Sequence, residues 1–91
     1  MFTKNTDVEN IKTKYATMNP ESMSIGDKFY IPTHLWENKW ETRVWKVTEV
    51  RSDCVLAMPT FMPNTIHHFE TGCVYWDDWR ECEKECKERM K

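Results

Sequence analysis

The sequence predicts an α+β domain: a small antiparallel β-barrel of about five strands, preceded by a short amino-terminal helix and closed by a carboxy-terminal one. Three observations predict it. Several short runs rich in β-branched and aromatic residues follow one another between residues 23 and 76. A capped, amphipathic helical pattern fills residues 77–91. Ninety-one residues make one domain with one small core, and five Trp make that core dense, since each buried aromatic removes about 150–250 Å² from water. So few strands hide their edges best by closing on themselves.

Residues 1–22 form the helical extension. Within TDVENIKTKYATM, residues 6–18, Val8, Ile11, Tyr15 and Met18 recur at helical spacing, and Thr6 with Glu9 fits a capping box. Asn19-Pro20 ends the helix, because the residue before a proline is pushed out of helical geometry. The barrel, residues 23–76, starts with SIGDKFYIP, in which Gly26-Asp27 turns and Phe29 and Ile31 alternate with polar neighbours up to Pro32. THLWENKWE reads as a loop. TRVWKVTEV is the clearest strand, with Trp45 and Val47 on one face and Val44 and Val50 on the other. Arg51-Ser52-Asp53 is turn chemistry, and CVLAM returns as a hairpin partner. TIHHFE and CVYW supply the last two strands, with Gly72 turning between them.

The carboxy-terminal helix, residues 77–91, is capped by Asp78 with Glu81, or by Asp77. Acids fill its first half and Lys87, Arg89 and Lys91 its last turn, as the helix dipole prefers. Trp79, Cys82, Cys86 and Met90 fall on one stripe, which is expected to pack on the barrel.

Charge bounds the function. Thirteen basic and fifteen acidic residues give a net charge of −2, and both signs stay interspersed along the chain. Neither the basic face of a nucleic-acid binder nor the strong acidity of a DNA mimic is visible. No apolar run resembles a signal peptide or a membrane span, so the expectation is a cytoplasmic protein with reduced thiols. Gly26 and Gly72 are the only glycines, so a phosphate-cradling loop is absent, and the sequence offers no cofactor.

The cysteines allow more than one reading. Cys82 and Cys86 share a helix face, Cys73 can reach them from the preceding strand, and His67, His68 or Cys54 can serve as a fourth ligand, which describes a small zinc-binding protein. Tight C-x₂₋₄-C knuckles are missing, however, and free Cys packs readily as a small apolar side chain, so the spacing favours a buried stripe. His67 and His68 are consecutive in a strand and point to opposite faces, so they do not converge on one ion. A Cys73–His nucleophile has no supporting signature around it, and the chain reads as a non-enzyme.

HLWENKWE is the candidate partner-binding surface. His34, Trp36, Glu37, Lys39, Trp40 and Arg43 mix aromatic and polar groups, and Trp is enriched among interface hot spots. The same two tryptophans can instead fold back as a lid over the barrel.

SIGDKFYIP, ETRVWKVTEV, CVLAMP and the run through VYW into a charged helix together resemble the small SH3-like barrels encoded by phages and mobile elements of gut-type Firmicutes. The similarity covers about residues 23–91 and leaves out the first 22. It implies an SH3-like fold and a non-catalytic accessory protein that binds and inhibits a host protein, such as a defence nuclease, in the manner of anti-CRISPR proteins. Fold likeness leaves the activity open. A nucleic-acid-binding SH3-like module, stacking bases near Lys39, Trp40 and Arg43, is the alternative class.

Overall fold

The computed structural model describes residues 13–91. Among these residues, six strands and one α-helix follow in order: β1 (Ala16–Thr17), β2 (Lys28–Trp36), β3 (Lys39–Val50), β4 (Cys54–Pro59), β5 (His67–Glu70), β6 (Val74–Tyr75) and α1 (Trp79–Arg89). β2, β3, β4 and β5 form a curled antiparallel sheet in that order, half of a barrel. β6 pairs with β1, and Trp76 bridges to Tyr30 by two backbone hydrogen bonds of 2.7 and 2.9 Å, which joins this small ribbon to the outer edge of β2. The result is a small α+β fold, mostly antiparallel β.

The helix expected over residues 6–18 lies largely outside the described residues. Its last part is a correction: Ala16–Thr17 is strand, paired with Tyr75 and Val74, and Met18 closes that ribbon by donating to the Cys73 carbonyl at 2.6 Å. The pairing offered by β6 prevails over the helical periodicity, because so short a helix is marginal by itself. Just after it, Asn19 caps a single 3-10 turn over Pro20–Ser22.

Local chemistry explains the strand borders. Gly26, at φ 96°, makes the turn into β2, where its N–H donates to the Val47 carbonyl, while the Asp27 carboxylate accepts from the Ser24 N–H. Pro32 does not stop β2. Tyr30 directs its N–H and C=O outward to Trp76, so the alternating Pro32 nitrogen also faces the outer edge, where β3 asks for no donor. β4 is buried on both faces from Cys54 to Ala57, as its continuous apolar run requires.

The sheet separates two apolar clusters. Inside the curl lie Met18, Phe29, Trp45, Val47, Val55, Ala57 and Tyr75, with Phe29 stacked on Trp45 and edge-on to Phe69 and Tyr75. On the other face, Trp76, Cys82 and Cys86 pack with Tyr30, Trp40 and Met90, and α1 lies across β2 and β3. Val50 belongs with the first cluster, contrary to the strand's simple alternation. Thr48 is an extra residue between the Val47 and Glu49 pairings, and such a bulge moves every later side chain to the other face.

The helix starts where the sequence places it. Asp78 is the N-cap, accepting from the Arg80 N–H at 2.8 Å. Glu81 does not complete a capping box; its carboxylate takes the Lys14 N–H at 3.0 Å and the Lys84 ammonium at 3.1 Å. The stripe needs one correction. Cys82, Cys86 and Met90 face the sheet, but Trp79 is half exposed and the buried indole is Trp76, just ahead of the cap. The Trp76 N–H donates to the Thr13 hydroxyl, which donates to Glu85, so the incoming chain is clasped to the helix. Among the described residues, no helix is long and apolar enough to cross a membrane.

Candidate partner-binding site

The stretch read as a loop, residues 33–41, is a β-hairpin. β2 runs to Trp36, Glu37 and Asn38 turn, and β3 starts at Lys39. Glu37 has φ 48°, the left-handed conformation that hairpin turns require at their first central residue. The His34 ring nitrogen Nε2 donates to the Glu37 carbonyl and ties the turn to the strand. No Asn-Gly or Asp-Gly pair announced this turn, which is why the sequence read it as irregular.

One extra residue decides what the hairpin presents. Up to His34, which pairs with Trp40, β2 and β3 stay in one register; then Trp36 pairs with Lys39, and Leu35 is the bulge. Residues directly opposite one another share a face. His34 and Trp40 therefore occupy one side of the ribbon, and Trp36 joins Lys39, Glu41 and Arg43 on the other.

At Trp40 the first side is closed. Trp40 packs against the Trp76–Cys82–Cys86 cluster, its ring lies 5.0 Å from His34, and the Arg89 guanidinium sits 4.7 Å over it. Asn38 donates to the Met90 carbonyl at 3.1 Å, fastening the hairpin tip to the end of α1. Trp40 is thus the lid-type tryptophan. The opposite side is open, and there Trp36 is 61% exposed.

Of the six predicted residues, His34, Trp36, Glu37 and Lys39 are exposed at the tip, Trp40 is half-buried under the helix, and Arg43 lies farther along β3. The structure does not gather them into one patch. Arg43 Nε stands 3.0 Å from Glu41, and its guanidinium lies 4.3 Å over the ring of Phe61. Phe61 and Met62, on the loop after β4, extend the same neighbourhood with exposed apolar surface. Sequence reasoning passed over them. The signal available was PTFMP, where two large apolar residues stand between prolines and outside any strand pattern.

The cysteines are divided. Cys73 packs at the rim of the cluster inside the curl, whereas Cys82 and Cys86 lie in the cluster under α1. All four cysteines are free thiols, and among the described residues no group of three or more His, Cys, Asp or Glu is placed to hold a metal ion. Burial pushes the Cys82 thiol up to about 12, against a smaller opposing effect of the nearby Thr42 hydroxyl. Burial, then the neighbouring Asp53 charge, also raises Cys54. Both stay protonated at neutral pH and are poor nucleophiles. His67 rests edge-on against Trp45 and His68 lies opposite Leu56, on the two faces of β5 as the strand alternation predicts.

What the arrangement offers is a braced aromatic surface. The helix holds the ribbon from behind, so Trp36 is presented on a rigid support. Comparison of the chain with protein-family models, with curated proteins and with solved structures returned no match.

Proposed function

We propose that the chain is a non-enzymatic binding protein that engages a partner protein through the open face of the β2–β3 hairpin. The resemblance to small SH3-like barrels of phages and mobile elements extends the proposal: the partner is a host protein, a defence nuclease, which the chain inhibits by stoichiometric binding. One observation carries the reading: Trp36 stands 61% exposed on a ribbon whose other face is clamped by α1. A large, rigid aromatic held in advance of binding is the type of residue that dominates interface energetics, because little ordering remains to be done on contact.

The test is capture from a bacterial lysate with tagged protein, the captured species identified by mass and assayed for nuclease activity with and without the chain. Trp36→Ala should lose capture while the circular dichroism spectrum and melting temperature stay those of the wild type. Retention of the partner by that variant refutes the assignment. The nucleic-acid alternative makes a different prediction. That alternative requires salt-sensitive binding of single strands, and absence of binding at low salt eliminates it.

A further inference from the structure

The open face contains two buried donors that make no hydrogen bond among the described residues. Trp45 is only 9% exposed, and its indole Nε1 is buried without a hydrogen-bond partner. Arg43, two residues earlier on the same face of β3, has a buried Nε in the same condition. The Glu41 carboxylate lies 3.0 Å from that nitrogen but out of line for a hydrogen bond. Buried donors without acceptors are rare in folded proteins; the ion pair with Glu41 compensates the Arg43 nitrogen in part, whereas the Trp45 nitrogen has given up its water without replacement.

Both residues meet under one ring. Phe61 takes the Arg43 guanidinium at 4.3 Å and the edge of Trp45 at 6.5 Å between centroids, and is itself 44% exposed. It stands on a connecting loop, between Pro59 and Pro63, rather than in the sheet. His67, edge-on to Trp45 at 4.9 Å, forms another wall.

We infer that Phe61 covers a carboxylate subsite, in which the Trp45 indole N–H and the Arg43 guanidinium receive the two oxygens of an Asp or Glu side chain presented by the partner. This rests on the proposed function and names the chemistry of its partner. A carboxylate fits better than a carbonyl because two donors are present and one is cationic; a carboxylate has two oxygens and accepts strong charge-assisted bonds. Aromatic walls strengthen such bonds by excluding water. Glu41 shows that a carboxylate is tolerated beside Arg43, and its half-exposed side chain is free to turn into solvent when another carboxylate takes its place. No bond is made or broken, and Phe61 turns aside to admit the ligand.

The experiment is a titration of ¹⁵N-labelled full-length chain with blocked hexaglutamate, following the Trp45 indole and Arg43 Nε–H resonances. The expected result is that both move together and saturate. Phe61→Ala should tighten binding on the order of tenfold if the cover is open about one-tenth of the time, since a closed state lowers apparent affinity by its share. Glu41→Gln should tighten it as well, by removing the competing carboxylate. Resonances that stay fixed in both the wild type and Phe61→Ala overturn the inference, as does an equal response to hexalysine. Saturation by free acetate at the concentration effective for hexaglutamate overturns it too, because the site would then serve a small molecule. Partner capture surviving Trp36→Ala refutes the proposed function, whereas a flat titration alongside lost capture refutes the subsite alone.

Discussion

On one side of the β2–β3 hairpin, Trp40 is enclosed by His34, Arg89 and the Cys82/Cys86 face of α1; on the other, Trp36 stands in solvent beside Lys39. The two residues have the same side chain, four positions apart on one ribbon. Their different fates come from the single extra residue Leu35, which turns Trp36 away from the face that the helix covers. A packed and a solvent-facing tryptophan are thereby separated without any difference in chemistry. The comparison also assigns different measurements to the two sides: stability for Trp40 and, under the proposed function, affinity for Trp36.

The largest effect should follow Cys82→Asp, which places a carboxylate at a fully buried point of the helix–sheet seam. A loss of more than about 4 kcal/mol is expected, enough to unfold a marginal domain, because an unpaired charge there has no partner. A near-normal urea midpoint would show that α1 is not seated on this face. Trp40→Ala comes next, at about 3 kcal/mol in urea unfolding, through the space left under Arg89 and beside Trp76.

A smaller, pH-dependent effect should appear at Glu81, whose carboxyl is held below its usual value of 4.5, first by the Lys14 N–H and then by Lys84. A depressed folded-state value means that the ionised form stabilises the fold. That contribution is present above the unfolded value and is lost as pH falls through the folded one. Glu81→Gln should flatten this acid limb of the melting temperature; an unchanged slope would remove the clasp between Lys14 and the helix from the account. The smallest stability change should be that of Trp36→Ala, within about 0.5 kcal/mol, since exposed positions rarely contribute more. A loss comparable to that of Trp40→Ala would erase the contrast between the two faces.

Legibility followed the range of the interactions. Asp78 was readable as a cap because capping is decided within three residues, and CVLAM as a strand because an apolar run between turn residues is a local signal. The faces of β2 and β3 were misread wherever a bulge intervened. Leu35 and Thr48 each break a period of two, so Val50 was assigned to the wrong side and Trp36 to the same patch as Trp40. The stripe through Trp79 failed for another reason. The indole under the helix comes from Trp76, which the Tyr30 bridge holds in place, and that contact spans most of the domain. Ala16–Thr17 became strand through a pairing equally remote in sequence. For the site, the exposed aromatic was legible, whereas Phe61 and the unpaired nitrogens of Arg43 and Trp45 depended on tertiary placement.

Pro32 has a consequence for how the molecule meets its neighbours. An exposed strand border is ordinarily a template on which another chain can continue the sheet, and it leads to self-association when left unguarded. On the border of β2 that no strand extends among the described residues beyond the Trp76 bridge, the next outward-facing position lacks the donor that such growth needs. Sheet growth is thereby blocked at that position, and any contact made there falls to side chains, which discriminate where a bare backbone cannot.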